Sequence, residues 1–296
     1  MFSLSSWLHL RIPFSYFLMP VFLFSLAISP NFTQTNLLWS FLLIHLFLYP
    51  ASNAYNSYFD KDKESIGGLK NPPQVKPGLY WLALIFDTIA IVWAYLISPT
   101  FAFMIFIYGV VSKAYSHPWI RIKKYPYLSW LIAGIFQGSF SFIMCYIGIN
   151  GYTLENIWQA KILTPALLTT LMLLANYPLT QIYQHKEDAS RGDKTLSRVL
   201  GIKNTFVFVM LVFFLAMAGF AYYLINYFSL QYFQVFLYSM TPVLIYFMWW
   251  MFTCFKDERN ANYARAMWMN FISSTALNFF FIYLFLKSTG IIQAFQ

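Results

Sequence analysis

Charge is what this sequence lacks. Of its 296 residues only 10% are Asp, Glu, Lys or Arg, against about 25% in a soluble domain. So few charges cannot coat a water-facing surface, which excludes a soluble globular protein. A hydrophobic share of 59% excludes disorder. Cysteine is nearly absent. Cys145 and Cys254 stand far apart in apolar stretches, without metal-ligand spacing or the density of a disulfide scaffold, and read as core residues. No Walker A pattern occurs, so a P-loop nucleotide site is not expected. No cleavable signal peptide is expected either, because the apolar run within 1–12 is short and Arg11 precedes the first long one. The segment around Trp7 and Leu10 is expected to lie along a membrane interface.

Long apolar runs are what the sequence has. A membrane span needs about 20 mostly apolar residues. Nine are read, at 13–29, 37–57, 79–97, 99–116, 127–149, 162–183, 203–226, 231–253 and 266–286. The expected architecture is an all-α integral membrane protein: one membrane domain over 1–296 with about nine transmembrane helices. The pairs 79–97/99–116 and 203–226/231–253 have very short links and should be antiparallel neighbours. With the N-terminus on side one, all of the 19 Lys and Arg except Lys161 and Lys287 fall on that side. The positive-inside rule then places the N-terminus and these loops in the cytoplasm, in the cell inner membrane. The net charge of +9 is therefore topological, and nucleic acid is not an expected partner. All acids but Asp87 and Glu155 crowd the same side, which topology alone does not require.

An internal repeat organises those acids. Residues 49–60, YPASNAYNSYFD, align with 177–188, YPLTQIYQHKED, at a constant offset of 128. Tyr49 matches Tyr177, Pro50 matches Pro178, Tyr55 matches Tyr183 and Asp60 matches Asp188. Two pseudo-repeated halves follow, about 13–126 and 127–286. On a helix, residues i and i+4 share a face. Asn56, Asp60 and Glu64 then stack above one another, as do Gln184 and Asp188. Oxygen-only ligands suit a hard cation such as Mg²⁺, commonly held by few carboxylates plus substrate phosphates. The loops that follow, with Gly67, Gly68 and Lys70, and with Arg191, Gly192, Lys194 and Arg198, supply glycines for close approach and cations for phosphate. A metal-bound diphosphate is the expected ligand. The abundant aromatics, 22% of residues, face lipid, pack between helices or face a carbocation. Asp87, the one acid expected near mid-span, is read either as functional or as paired with His45 or a hydroxyl.

At these residues the chain resembles the UbiA superfamily of intramembrane prenyltransferases. That family's first motif, Asn-x-x-x-Asp-x-x-x-Asp after helix two, is Asn56, Asp60 and Glu64 here. Its second, Asp-x-x-x-Asp after helix six with a following Gly-x-x-Thr-Leu, is Gln184 and Asp188, then Gly192, Thr195 and Leu196. Tyr115-Ser-His-Pro-Trp-Ile-Arg121-Ile-Lys123 is similar to its Tyr-Ser-x-Pro-x-x-Arg-x-Lys stretch. Glu64 keeps a carboxylate with longer reach, whereas Gln184 loses a charge, for which Glu187 and Asp193 are the nearest compensating acids. The resemblance implies Mg²⁺-dependent transfer of a prenyl group from a polyprenyl diphosphate to an aromatic or lipid-like acceptor. Asn56, Asp60, Glu64, Gln184 and Asp188 would hold metal, and Lys70, Arg121, Lys123 and Lys194 diphosphate. Asp60, Asp188, Tyr115, Arg121 and Lys123 would carry the chemistry. An acceptorless cyclase or lyase on the same scaffold, or a transporter, are the competing readings.

Overall fold

Inside a bilayer an apolar segment must satisfy its own backbone, and a helix does so within one segment. The computed structural model, which describes residues 3–289, accordingly consists of helices joined by short links, with no strand among the described residues. Eight of its helices are long and apolar enough to cross a membrane. They are α1 (Leu4–Ala27), α2 (Gln34–Asp60), α3 (Gly78–Ile97), α5 (Pro126–Asn150), α6 (Ala160–Gln181), α7 (Ile202–Tyr227), α8 (Leu230–Lys256) and α9 (Tyr263–Ser288). The 18-residue α4 (Pro99–Ser116) packs along α3 as the ninth long helix. Only Ser98 separates these two, and its hydroxyl caps α4 by accepting from the Phe101 N–H. The expected pairs α3/α4 and α7/α8 are both neighbours.

Several helices are bent where the sequence dictates. Arg11 takes a left-handed conformation (φ 49°) and breaks α1 just before Pro13. Ahead of Pro50, which cannot donate a backbone hydrogen bond, α2 widens into a π-helical stretch over Leu43–Leu48. In α6, Pro178 frees the Leu174 carbonyl, which accepts instead from the Trp130 indole of α5 at 2.8 Å. The N-terminal turn does not simply lie along an interface. His9 and Leu10 are buried, and the His9 ring meets the Pro73 carbonyl at 2.8 Å, tying this turn to the link between α2 and α3.

The helices α1, α5, α6, α7, α8 and α9 pack each on the next, and α9 returns to α1, so they close a ring. A second group, α2 with α3 and α4, lies against α1 and α5. Lipid is as apolar as a leucine side chain, so close packing rather than escape from water holds such helices together. Phe24 of α1 is fully buried at the centre of the ring. It stacks on Phe281 of α9 at 4.3 Å and meets Phe142 of α5 and Phe220 of α7 at 5.5 and 5.7 Å. Gly138 lets α5 approach α6 backbone to backbone, since a Cβ there would sit 2.5 Å from Thr170 Cα. Both cysteines are buried and free. Asp87 of α3 pairs with Lys113 of α4, not with His45. Its charge is thereby neutralised within the bundle, as an intramembrane carboxylate requires.

Candidate active site

At one end of the bundle a cavity of about 230 Å³ lies between the two groups of helices. Its wall carries Asn56 and Asp60 from the end of α2, Tyr115 and Ser116 from the end of α4, and Lys123 from the link after α4. Tyr177 and Gln181 of α6, and Gln184 and Asp188 beyond it, complete the polar part. Tyr108, Ile132, Ala133, Phe136 and Met267 line the apolar part. The two distant motifs therefore share one chamber.

The details differ from an unbroken helical register. α2 stops at Asp60, because Lys61 turns left-handed (φ 51°). Glu64 consequently does not stack above Asp60. Its side chain is exposed and off the cavity wall, while its N–H donates to Glu187 Oε2 at 3.3 Å. Asp62 takes the place on the wall instead. In the second half α6 ends at Gln181, and a short helix, His185–Ser190, starts after Gln184. Gln184 lines the cavity, and its amide donates to the Ser65 carbonyl at 3.3 Å. Lys70 and Lys194 are exposed and away from the wall. The cations that meet the carboxylates are Arg121, Lys123 and Arg191.

These charges form one network. Asn56 donates from its amide nitrogen to Asp60 Oδ2 and Ser116 Oγ, both at 2.8 Å, which leaves its carbonyl oxygen free for a ligand. Asp60 pairs with Lys123 and stands 3.8 Å from Arg121. Arg121 grips Asp193 with two bonds of 2.9 Å, and Lys123 lies 3.5 Å from the same carboxylate. Arg191 pairs with Asp62 and also reaches Asp188 at 3.0 Å, Asp193 at 3.4 Å and Glu187 at 3.7 Å. Burial pushes the Asp188 carboxyl up to about 6 in spite of Arg191. Burial acts on Asp193 in the same sense, but the Arg121 hydrogen bond and the charges of Lys123, Arg121 and Arg191 outweigh it and hold that carboxyl below its usual range. His185 is kept neutral by burial, which lowers it to about 4, and is hydrogen-bonded to Ser197 at 2.8 Å.

Two wall residues escaped the spacing rules. Arg11, counted only toward topology, is buried at the cavity and donates to the Gly67 and Asn53 carbonyls at 3.1 and 3.2 Å. This holds the tight Ile66–Leu69 turn, in which a Cβ on Gly67 would sit 2.5 Å from the Phe14 ring. The second is Asp62, hidden inside the motif as one of its variable positions. Arg191 and Asp193 were visible as loop charges, but nothing in their spacing assigned them to the wall.

No group of three His, Cys, Asp or Glu among the described residues has metal-holding geometry as it stands, since each carboxylate is turned toward a cation. The chemistry of the donor set nevertheless suits a hard divalent ion. Neither His nor Cys lines the cavity, and five carboxylates (Asp60, Asp62, Glu187, Asp188, Asp193) meet only three cations (Arg121, Lys123, Arg191).

Comparison with known proteins agrees with this architecture. Among solved structures, a UbiA homologue from Archaeoglobus fulgidus bound to GPP and Mg²⁺ is similar over 95% of this chain and 99% of its own, with TM-score 0.68 and 16% identity. The same homologue bound to DMAPP and Mg²⁺ has TM-score 0.68 and 16% identity, over 94% of this chain and 97% of its own. A structure from work on digeranylgeranylglyceryl phosphate synthase in membranes has TM-score 0.61 and 17% identity, over 95% of this chain and 98% of its own. At these identities the likeness is one of fold. No curated protein matches the sequence. A model of the UbiA prenyltransferase family matches residues 17–275, most of the chain, and this multi-pass integral membrane protein belongs to that family.

Proposed function

We propose that the protein transfers a prenyl group from a polyprenyl diphosphate to an aromatic or lipid-like acceptor, with Mg²⁺ at the cavity. The observation that carries this reading is the meeting of Asp60 and Asp188, 128 residues apart, in one cavity with Lys123 and Arg191. The structural relatives from Archaeoglobus fulgidus were solved with GPP or DMAPP and Mg²⁺, which supports the same ligand class here. We also propose that the two halves, 13–126 and 127–286, are repeats that bring equivalent helix ends together. The motif end would face the cytoplasm of the cell inner membrane.

Asn56 through its carbonyl oxygen, Asp60 and Asp188 would hold the metal, with Gln184 nearby as a neutral oxygen donor. Bound there, it supplies Lewis-acid neutralisation of the diphosphate. Lys123 and Arg191 on the cavity wall face the same ligand, with Arg121 off the lining and bound to Asp193, and stabilise the charge that develops on the leaving group as the C1–O bond breaks and its electron pair departs with the diphosphate. Tyr115 and Tyr177, hydrogen-bonded to each other through their hydroxyls, form the wall between the charged end and the apolar part. Ile132, Ala133 and Phe136 exclude water, which would otherwise capture the allylic cation before the acceptor does. The acceptor bonds to C1 and loses a proton. Gln184 in place of a carboxylate favours one second reading, an acceptorless cyclase or lyase. Purified protein supplied with geranylgeranyl diphosphate and Mg²⁺, with and without membrane lipid extract, tests both. A prenylated adduct only with extract supports transfer, and a hydrocarbon formed without extract supports the second reading. Diphosphate release in neither arm refutes the proposal.

A further inference from the structure

We propose that Asp62, and not Glu64, is the third acidic ligand of this chain's divalent-ion site, replacing the carboxylate that Gln184 does not supply. The inference rests on the metal-dependent diphosphate reading above and deepens it.

The path of the chain is the first support. Helical spacing would carry Glu64 one turn beyond Asp60, but the left-handed Lys61 ends the helix there. The next acid, Asp62, is turned onto the cavity wall with its side chain only 5% exposed. Glu64 points to solvent, and the Lys63 and Glu64 N–H groups both donate to the Glu187 carboxylate, at 3.2 and 3.3 Å, which fixes that orientation.

The second support is what Asp62 faces. The two terminal nitrogens of Arg191 hold Asp62 Oδ1 and Asp188 Oδ1, one carboxylate oxygen from each motif loop. One side chain thus brings a carboxylate oxygen of each motif loop to the same group on the cavity wall. The positive charge that holds them is itself suited to diphosphate, because a guanidinium fork matches phosphate geometry.

The third support is Gln184. Its amide donates to the Ser65 carbonyl and closes the 61–66 loop over the cavity. A carboxylate at 184 would repel Asp62 and lose that hydrogen bond, whereas a neutral amide lets Asp62 approach. Asp62 makes up one of the two carboxylates that an off-wall Glu64 and a neutral Gln184 leave missing, so that Asp60, Asp62 and Asp188 form the acidic set.

A fourth observation points to a ligand independently of the acids. The Gln181 carbonyl oxygen, on a residue only 5% exposed, lines the same cavity without a hydrogen-bond partner. A buried acceptor of this kind is costly to leave unmatched and marks a place for a ligand donor or cation.

The test is Mn²⁺ binding to full-length protein in detergent, measured by equilibrium dialysis as the excess metal on the protein side, with the same concentration of inorganic pyrophosphate on both sides. Wild type should bind. Asp62→Asn should weaken Mn²⁺ at least about tenfold, Glu64→Gln should leave it unchanged, and the double variant Asp62→Asn/Gln184→Asp should recover it. Melting without metal separates a purely structural Asp62–Arg191 pair, which would cost stability yet leave Mn²⁺ affinity intact. Mn²⁺ binding that survives Asp62→Asn, or a loss on Glu64→Gln instead, overturns this inference alone. A double variant as weak as Asp62→Asn overturns the exchange with Gln184. Wild type that binds no Mn²⁺ overturns the metal-dependent reading and this inference with it.

Discussion

Asp193→Asn is the most informative single perturbation of the charged network. The substitution keeps the shape of a residue that is 1% exposed but removes its charge. Arg121 then loses a bidentate partner with two bonds of 2.9 Å, and Lys123 and Arg191 lose an anion at 3.5 and 3.4 Å. Breaking a buried pair costs about 3–5 kcal/mol. The asparagine carbonyl keeps one bond to a charged donor, worth about 1.5–3 kcal/mol, so the expected net loss is about 2 kcal/mol. That corresponds to roughly 4 °C in melting midpoint for a chain of this size. Tryptophan fluorescence during heating in detergent, at one fixed scan rate, reads it. The loss has a defined pH dependence. Asp193 is held below the usual carboxylate range in the folded protein, so its contribution is complete above that range. It disappears as pH falls through the folded value. The gap between wild type and variant should therefore be fully present at neutral pH and shrink as pH falls below the usual carboxylate range. An Asp193→Asn protein that melts with wild type at pH 7, or a gap that widens in acid, refutes the account of this network. Arg121→Lys should also destabilise, because a point charge cannot reproduce the fork.

The remaining predictions concern turnover. Asp60→Asn and Asp188→Asn should each lower prenyl transfer by at least about 10²-fold while the protein still elutes as a folded species on size exclusion; two active variants would remove the proposed mechanism. Lys123→Met should lower kcat by about 10²-fold, whereas Lys70→Ala and Lys194→Ala, which lie off the wall, should stay within about twofold of wild type. Assays of diphosphate release on all three separate these outcomes. EDTA should abolish diphosphate release and added Mg²⁺ should restore it; turnover that persists in EDTA contradicts the oxygen-ligand reading.

Much of the architecture was legible because the bilayer leaves few choices. Apolar runs of span length must become helices, and the link at Ser98 is too short for any geometry but an antiparallel pair. The Lys and Arg distribution already gathered the motifs at one end. What the periodicity could not give is where a helix stops. Asn56, Asp60 and Glu64 have perfect i, i+4 spacing, yet nothing before Lys61 announces a left-handed residue, and a lysine there is not the glycine that usually marks such a turn. Gln184 and Asp188 keep their spacing in a separate short helix, because α6 ends at Gln181, just beyond Pro178. Lys70 and Lys194 stand near the glycines in sequence, yet both lie off the wall. Whether a loop side chain points inward depends on partners from other loops, as Arg191 shows by meeting Asp62 from the far side of the chain. Asp87 is a related case: its partner Lys113 stands inside α4, and nothing in the spacing of either residue pairs them.

The ion pairs at the cavity bear on how such a site can exist in a membrane protein at all. Buried carboxylates are costly unless paired, and here each is paired with Arg121, Lys123 or Arg191. On the proposed function the two of these on the cavity wall, Lys123 and Arg191, are the groups that meet the diphosphate. With Asp60 and Asp188 holding a divalent ion, Lys123 and Arg191, which now pair with them, would be free to turn to the diphosphate. The two should therefore bind with positive coupling, and by linkage the factor by which pyrophosphate tightens Mn²⁺ must equal the factor by which Mn²⁺ tightens pyrophosphate. This exchange of partners explains why carboxylates and cations crowd the same end of the bundle, a clustering that topology by itself does not demand.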